Sequence, residues 1–118
     1  MVTVFDRAGE IDGPAISRNV AQWIKAGVGG VVALGSNGEA PFVEEDEAER
    51  VIAAARDSVP RDRVLLVGTG RESTRATIAA SARAAALGAD LLSVAVCRRD
   101  RRDPRGVVRP AGVVRRAA

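Results

Sequence analysis

Apolar residues along the chain follow two alternating patterns. Val31-Val32-Ala33-Leu34 and Val64-Leu65-Leu66-Val67 are unbroken runs of strand length, the mark of strands covered on both faces. Val2 to Phe5 is a shorter β-branched run before a turn-like Asp6-Arg7-Ala8-Gly9-Glu10, and reads as a clipped first strand; Asp90 to Val96 supplies a fourth. Between the runs the spacing becomes helical. Ile16, Val20, Trp23 and Ile24 follow Asp12-Gly13-Pro14, where proline suits a first helical turn, and Gly27 ends the element. Glu44, Glu45, Asp46 and Glu47 open a second helix, their charge matched to the unpaired N–H groups there, with Ala48, Val51, Ile52 and Ala55 inward and Pro60 as its stop. Ser73 caps a third helix, with Ile78, Ala82 and Ala85 on its covered face and Gly88 at its close.

Two segments, Ala26-Gly27-Val28-Gly29-Gly30-Val31-Val32 and Leu87-Gly88-Ala89-Asp90-Leu91-Leu92, both read as helix end, glycine cap, then strand. They lie two strand–helix units apart, as units of roughly 30 residues require. Repeated alternation predicts an α/β protein with a parallel sheet, either open and doubly wound or part of a barrel. The pattern alone does not choose between them.

Composition changes this picture mainly at one end. Residues 1–96 carry 10 basic and 13 acidic side chains, whereas residues 97–118 carry 8 and 2, so the net charge of +3 belongs to the tail. The expected organisation is a folded part over residues 1–96 and an arginine-rich tail over 97–118, disordered, with neither helix nor strand in it. Aromatic residues make up only 3%, so alanine, valine and other small aliphatic side chains must build the core. One cysteine, Cys97, excludes an internal disulfide, and without any histidine a Cys–His pair is impossible and a metal site is not expected. The absence of a signal-like N-terminus and of a membrane-length apolar run points to a cytoplasmic protein.

In parallel α/β folds the loops that leave the C-terminal ends of strands line the site. Here those loops are Gly35-Ser36-Asn37-Gly38-Glu39 and Gly68-Thr69-Gly70. Glycines admit a small anion close to backbone N–H groups, and Ser36 and Asn37 add a hydroxyl and an amide that can donate to a carboxylate. The same glycines could simply turn the chain, and the residues by themselves weigh the two readings equally. Neither loop holds a Gly-x-Gly-x-x-Gly fingerprint or a phosphate loop, which disfavours nucleotides.

Gly35-Ser36-Asn37-Gly38-Glu39-Ala40-Pro41-Phe42 resembles the signature of the dihydrodipicolinate synthase and N-acetylneuraminate lyase family. Thr3, Phe5-Asp6 and Gly9-Glu10-Ile11-Asp12 resemble that family's opening, with Val4 where a proline is usual. Gly68-Thr69-Gly70, Ser73-Thr74-Arg75 and Leu87-Gly88-Ala89-Asp90 resemble its third and fourth units. The resemblance implies a TIM-type (β/α)₈ barrel, of which residues 1–96 would supply the first four βα units, since such a barrel takes about 250 residues. It also implies a cofactor-free lyase or aldolase that holds pyruvate or a related 2-oxo acid as a Schiff base on a strand-six lysine. Ser36 then looks like the proton-relaying hydroxyl and a substrate-binding group, and Asn37 like a donor to the substrate carboxylate. The Ser-Asn pair with Glu-Ala-Pro-Phe looks more like the 4-hydroxy-2-oxoglutarate aldolase branch than like typical dihydrodipicolinate synthases.

Departures from the family qualify the function. Lys25 is the only lysine, it falls at the end of the first helix, and arginine cannot replace an amine nucleophile. No tyrosine is present, and the stretch where the family carries Thr-Pro-x-Tyr reads Val94-Ala95-Val96-Cys97-Arg98. The chain is therefore expected to be an inactive fragment, to self-associate through exposed barrel edges, and to use Glu39 for organising the loop rather than for acid–base work. Two alternatives stand beside this: a carboxylate-binding pseudoenzyme that keeps Ser36 and Asn37, and a basic-tail module for nucleic acid or an acidic partner. The tail lacks the aromatic interleaving of specific nucleic-acid readers. Its arginine, glycine, proline, alanine and valine are what GC-rich codons give in a wrong frame, so a frameshift near codons 91 to 97 is the expected origin; the other frames should then encode the missing lysine strand.

Overall fold

The computed structural model describes residues 1–94 and the short strand 113–115. Helix α1 (Gly13–Lys25) starts at Asp12, whose carboxylate accepts from the Ala15 N–H (2.8 Å), and leads through Gly27 (φ +95°) into strand β1 (Gly30–Ala33). Two short 3₁₀ turns, Ser36–Gly38 and Ala40–Phe42, precede α2 (Glu45–Ser58). A reciprocal capping box joins Glu44 and Glu47 at the start of α2, so the acidic run does the work of a helix N-terminus. Strand β2 (Val64–Gly68), α3 (Thr74–Ala86) and strand β3 (Leu91–Ser93) complete the alternation, with Ser73 capping α3 through the Ala76 N–H.

Strands β1, β2 and β3 pair in parallel in that order, Gly30 opposite Val64 and Leu66 opposite Leu91. The core lies between this sheet and the helices on one of its faces: Ile16 and Val20 from α1, Ala48, Val51, Ile52 and Ala55 from α2, Val31 and Ala33 from β1, and Leu65 and Val67 from β2. Trp23 and Ile24 are only partly buried against it.

Several expectations are corrected. The strands are covered on one face, not both: Val32 and Val64 point away from the helices and are 44% and 40% exposed. Val2 to Phe5 is not a regular strand. The Met1 amino group donates to the Val32 carbonyl, but no ladder with β1 follows from that contact. The segment ends instead in an isolated bridge between Phe5 and Ile11. Three parallel strands are therefore present among the described residues where four were expected.

On α3 the covered positions are Ala80 and Ala84, while Ile78, Ala82 and Ala85 are exposed. Polar contacts select that face: Ser81 Oγ donates to Thr69 Oγ1 (2.9 Å), and Thr77 Oγ1 accepts from the Arg71 N–H (3.0 Å). Finally, the tail contains a strand, β4 (Val113–Arg115), antiparallel to β3 with Leu92 opposite Val114. A sheet edge offers unpaired N–H and C=O groups to any extended segment, and the two adjacent valines favour that state. Cys97 and the arginines from 98 to 109 lie outside the described residues, as does the position of the family's tyrosine motif beyond Val94.

Candidate functional site

The C-terminal ends of β1 and β2 meet where the two glycine loops begin. Their separation is set by Gly68: a Cβ there would stand 2.0 Å from the Leu34 carbonyl oxygen, so only glycine allows this approach. Leu34 itself has φ +52° and is buried, which turns the chain sharply out of the sheet into Gly35 and the 3₁₀ turn of Ser36–Gly38. That turn is closed by Gly38 N–H to the Gly35 carbonyl (2.9 Å) and Glu39 N–H to the Ser36 carbonyl (3.3 Å). From the opening segment the Thr3 hydroxyl, buried, donates to the Gly38 carbonyl at 2.6 Å.

An open groove runs over this rim, lined among others by Val32, Gly35, Ser36, Phe42, Gly70 and Arg71. Ser36 is thus exposed on the groove. Asn37 is exposed on the same turn but outside the lining, and neither side chain has a hydrogen-bond partner among the described residues. Glu39 is exposed, has φ +55° and uses its carbonyl, not its carboxylate, to hold the next turn through the Phe42 N–H (2.8 Å). Its contribution to the loop is therefore made by the backbone. Lys25 lies at the opposite end of the sheet, since α1 ends there immediately before β1 begins.

Arg71, beyond β2, is a rim residue that no motif or spacing marks. Its Nε donates to Glu45 at 2.8 Å and its Nη1 to the Gly70 carbonyl at 3.1 Å, and Arg83 from α3 reaches the same Glu45 carboxylate. The Arg71 hydrogen bond, opposed by partial burial and reinforced by Arg83, holds the Glu45 carboxyl below the usual carboxylate range. No set of three or more His, Cys, Asp or Glu side chains among the described residues is placed to hold a metal ion. No helix among them is long and apolar enough to cross a membrane.

The arrangement defines a parallel α/β protein in which the first glycine loop presents a hydroxyl and an amide at the strand ends, where such folds bind their ligands. The model of the dihydrodipicolinate synthetase family matches residues 1–96, and the chain belongs to that family. An uncharacterised DapA-like lyase of Halobacterium salinarum is 38% identical over 90 residues, and a 4-hydroxy-tetrahydrodipicolinate synthase of Synechococcus sp. is 37% identical over the same length. Each alignment covers 76% of this chain and 30% of the relative. Among solved structures, the prophage protein YagE of E. coli K12, in complex with pyruvate, superposes with a TM-score of 0.71 at 37% identity, covering 75% of this chain and 30% of that one. The chain thus spans about a third of the length of the curated relatives it matches.

Proposed function

We propose that this segment forms the substrate-carboxylate corner of a lyase or aldolase acting on pyruvate or a related 2-oxo acid, and that the chain by itself completes no Schiff-base chemistry. The observation that carries the reading is the Ser36 side chain: exposed on the groove at the strand ends, without an internal partner, within an intact Gly-Ser-Asn-Gly-Glu turn of a family member. Its hydroxyl can donate to a carboxylate oxygen and accept a proton in turn, the two capacities a relay needs. Asn37 adds an amide donor beside it. The pyruvate held by the related E. coli protein supports a 2-oxo acid as the ligand class. The Ser-Asn pair favours the 4-hydroxy-2-oxoglutarate branch, and a cytoplasmic, cofactor-free enzyme goes with this reading.

The covalent step needs an amine that can lose its proton near the bound ketone. Lys25, the one lysine, is exposed in the last turn of α1, where a cation is favoured by the helix dipole, and the length of the sheet separates it from Ser36. Borohydride reduction of the purified chain in the presence of pyruvate, followed by intact-mass measurement, should therefore leave the mass unchanged. A stoichiometric adduct, on Lys25 above all, would overturn the inactive reading.

A further inference from the structure

The turn that carries Ser36 and Asn37 is fastened to the rest of the molecule at a point the proposed chemistry does not use. Within residues 35–39 the hydrogen bonds of Gly38 to Gly35 and of Glu39 to Ser36 are local and fix only the shape of the turn. Among the described residues, one hydrogen bond ties Ser36–Gly38 to another part of the chain: Thr3 Oγ1 to the Gly38 carbonyl, 2.6 Å, with both residues buried. The fit around it is close, because a Cβ on Gly38 would stand 3.1 Å from the Met1 carbonyl and 3.7 Å from the Thr3 hydroxyl. The segment is in turn held by the Met1 amino group on the Val32 carbonyl of β1 and by Asp12 N–H, at the start of α1, to the Val4 carbonyl (2.8 Å). A buried carbonyl that loses its donor loses a partner that no water replaces.

We infer that Thr3 is the positioning residue of the carboxylate-recognising turn, setting where Ser36 stands on the groove without touching the ligand itself. The inference rests on the proposed function for its consequence, but its structural half can be read without any ligand. Thr3→Val keeps the shape and removes the donor; Thr3→Ser keeps the donor.

Hydrogen exchange of the full chain, followed by mass spectrometry, tests the anchor first. Peptides over residues 35–39 should exchange about tenfold faster in Thr3→Val, from the loss of one buried hydrogen bond, and at the parent rate in Thr3→Ser, with the β2 peptide containing Leu65 unchanged in both. Unchanged exchange at 35–39 in Thr3→Val, the same acceleration in Thr3→Ser, or acceleration that extends to Leu65 would overturn the inference. Pyruvate binding, followed by ligand-observed NMR, then tests the consequence: about tenfold weaker in Thr3→Val and at the parent value in Thr3→Ser supports the positioning role, and equal affinity in all three overturns it. A parent chain that binds no pyruvate overturns the proposed function instead, and the exchange result still decides the anchor.

Discussion

Arg56 shows how much a single helical arginine can hold. Its side chain is only 9% exposed, and its guanidinium reaches Asp90 at 2.9 Å and the Gly88 carbonyl at 3.1 Å, with a further bond to the Val59 carbonyl. Asp90 in turn accepts from the Leu65 N–H at 2.8 Å, so one fork ties the end of α2 to the entry of β3 and to β2. Arg56→Met should cost about 1.5–3 kcal/mol, the range for hydrogen bonds to charged groups, seen as a lower urea midpoint by Trp23 fluorescence. Arg56→Lys should recover only part, since an ammonium cannot present two nitrogens in one plane. None of this was legible beforehand, because an arginine on a polar helix face looks the same in sequence whether its head is in water or folded back onto carbonyls. Ser36 and Asn37, by contrast, could be assigned in advance to a turn at a strand end, through their place after an apolar run and between two glycines. Thr3 was visible as part of a motif but its partner was not, for 35 positions separate it from Gly38.

At the scale of elements, α1 and α2 were readable because their apolar stripes stand out against polar neighbours. In α3 alanine occupies covered and exposed positions alike, so the pattern carried little contrast and the hydroxyls of Thr77 and Ser81 decided the face. Three of the four expected strands were placed by their apolar runs, Val2 to Phe5 being the exception, but a run of valines and leucines does not say how many of its faces are covered. Beside the apolar packing, ion pairs join α2 to α3 and the loop before it: Glu45 with Arg71 and Arg83, and Glu49 with Arg83 at 3.5 Å. Because the Glu45 carboxyl is lowered from its ordinary 4.5 in the folded state, its contribution is complete above that value and fades as pH falls through the folded-state value. The urea midpoint of the parent chain should accordingly drop on acidification below about pH 4.5, and Glu45→Gln should remove part of that slope. A slope equal in both would mean that other carboxylates carry the acid response.

For the molecule as a whole, the uncovered sheet face is the feature with the widest effect. Val32 and Val64 are exposed on it, and at its rim Phe42 is 81% exposed. Apolar surface of this kind next to a strand edge promotes association. Sedimentation at micromolar concentration should show self-association, and Val32→Lys together with Phe42→Lys should shift the distribution toward monomer; a parent chain that sediments as a clean monomer would refute it. The opposite rim offers something different. Lys25 is the sole lysine side chain, exposed at the far end of the sheet from Ser36, and the Met1 amine is engaged by Val32. Burial lowers the pKa of the Met1 amine, so it must be blocked first; attachment of a label or a solid support directed to the lysine side chain then falls at that end and leaves the groove pointing outward, a built-in mooring point for presenting the site to ligands.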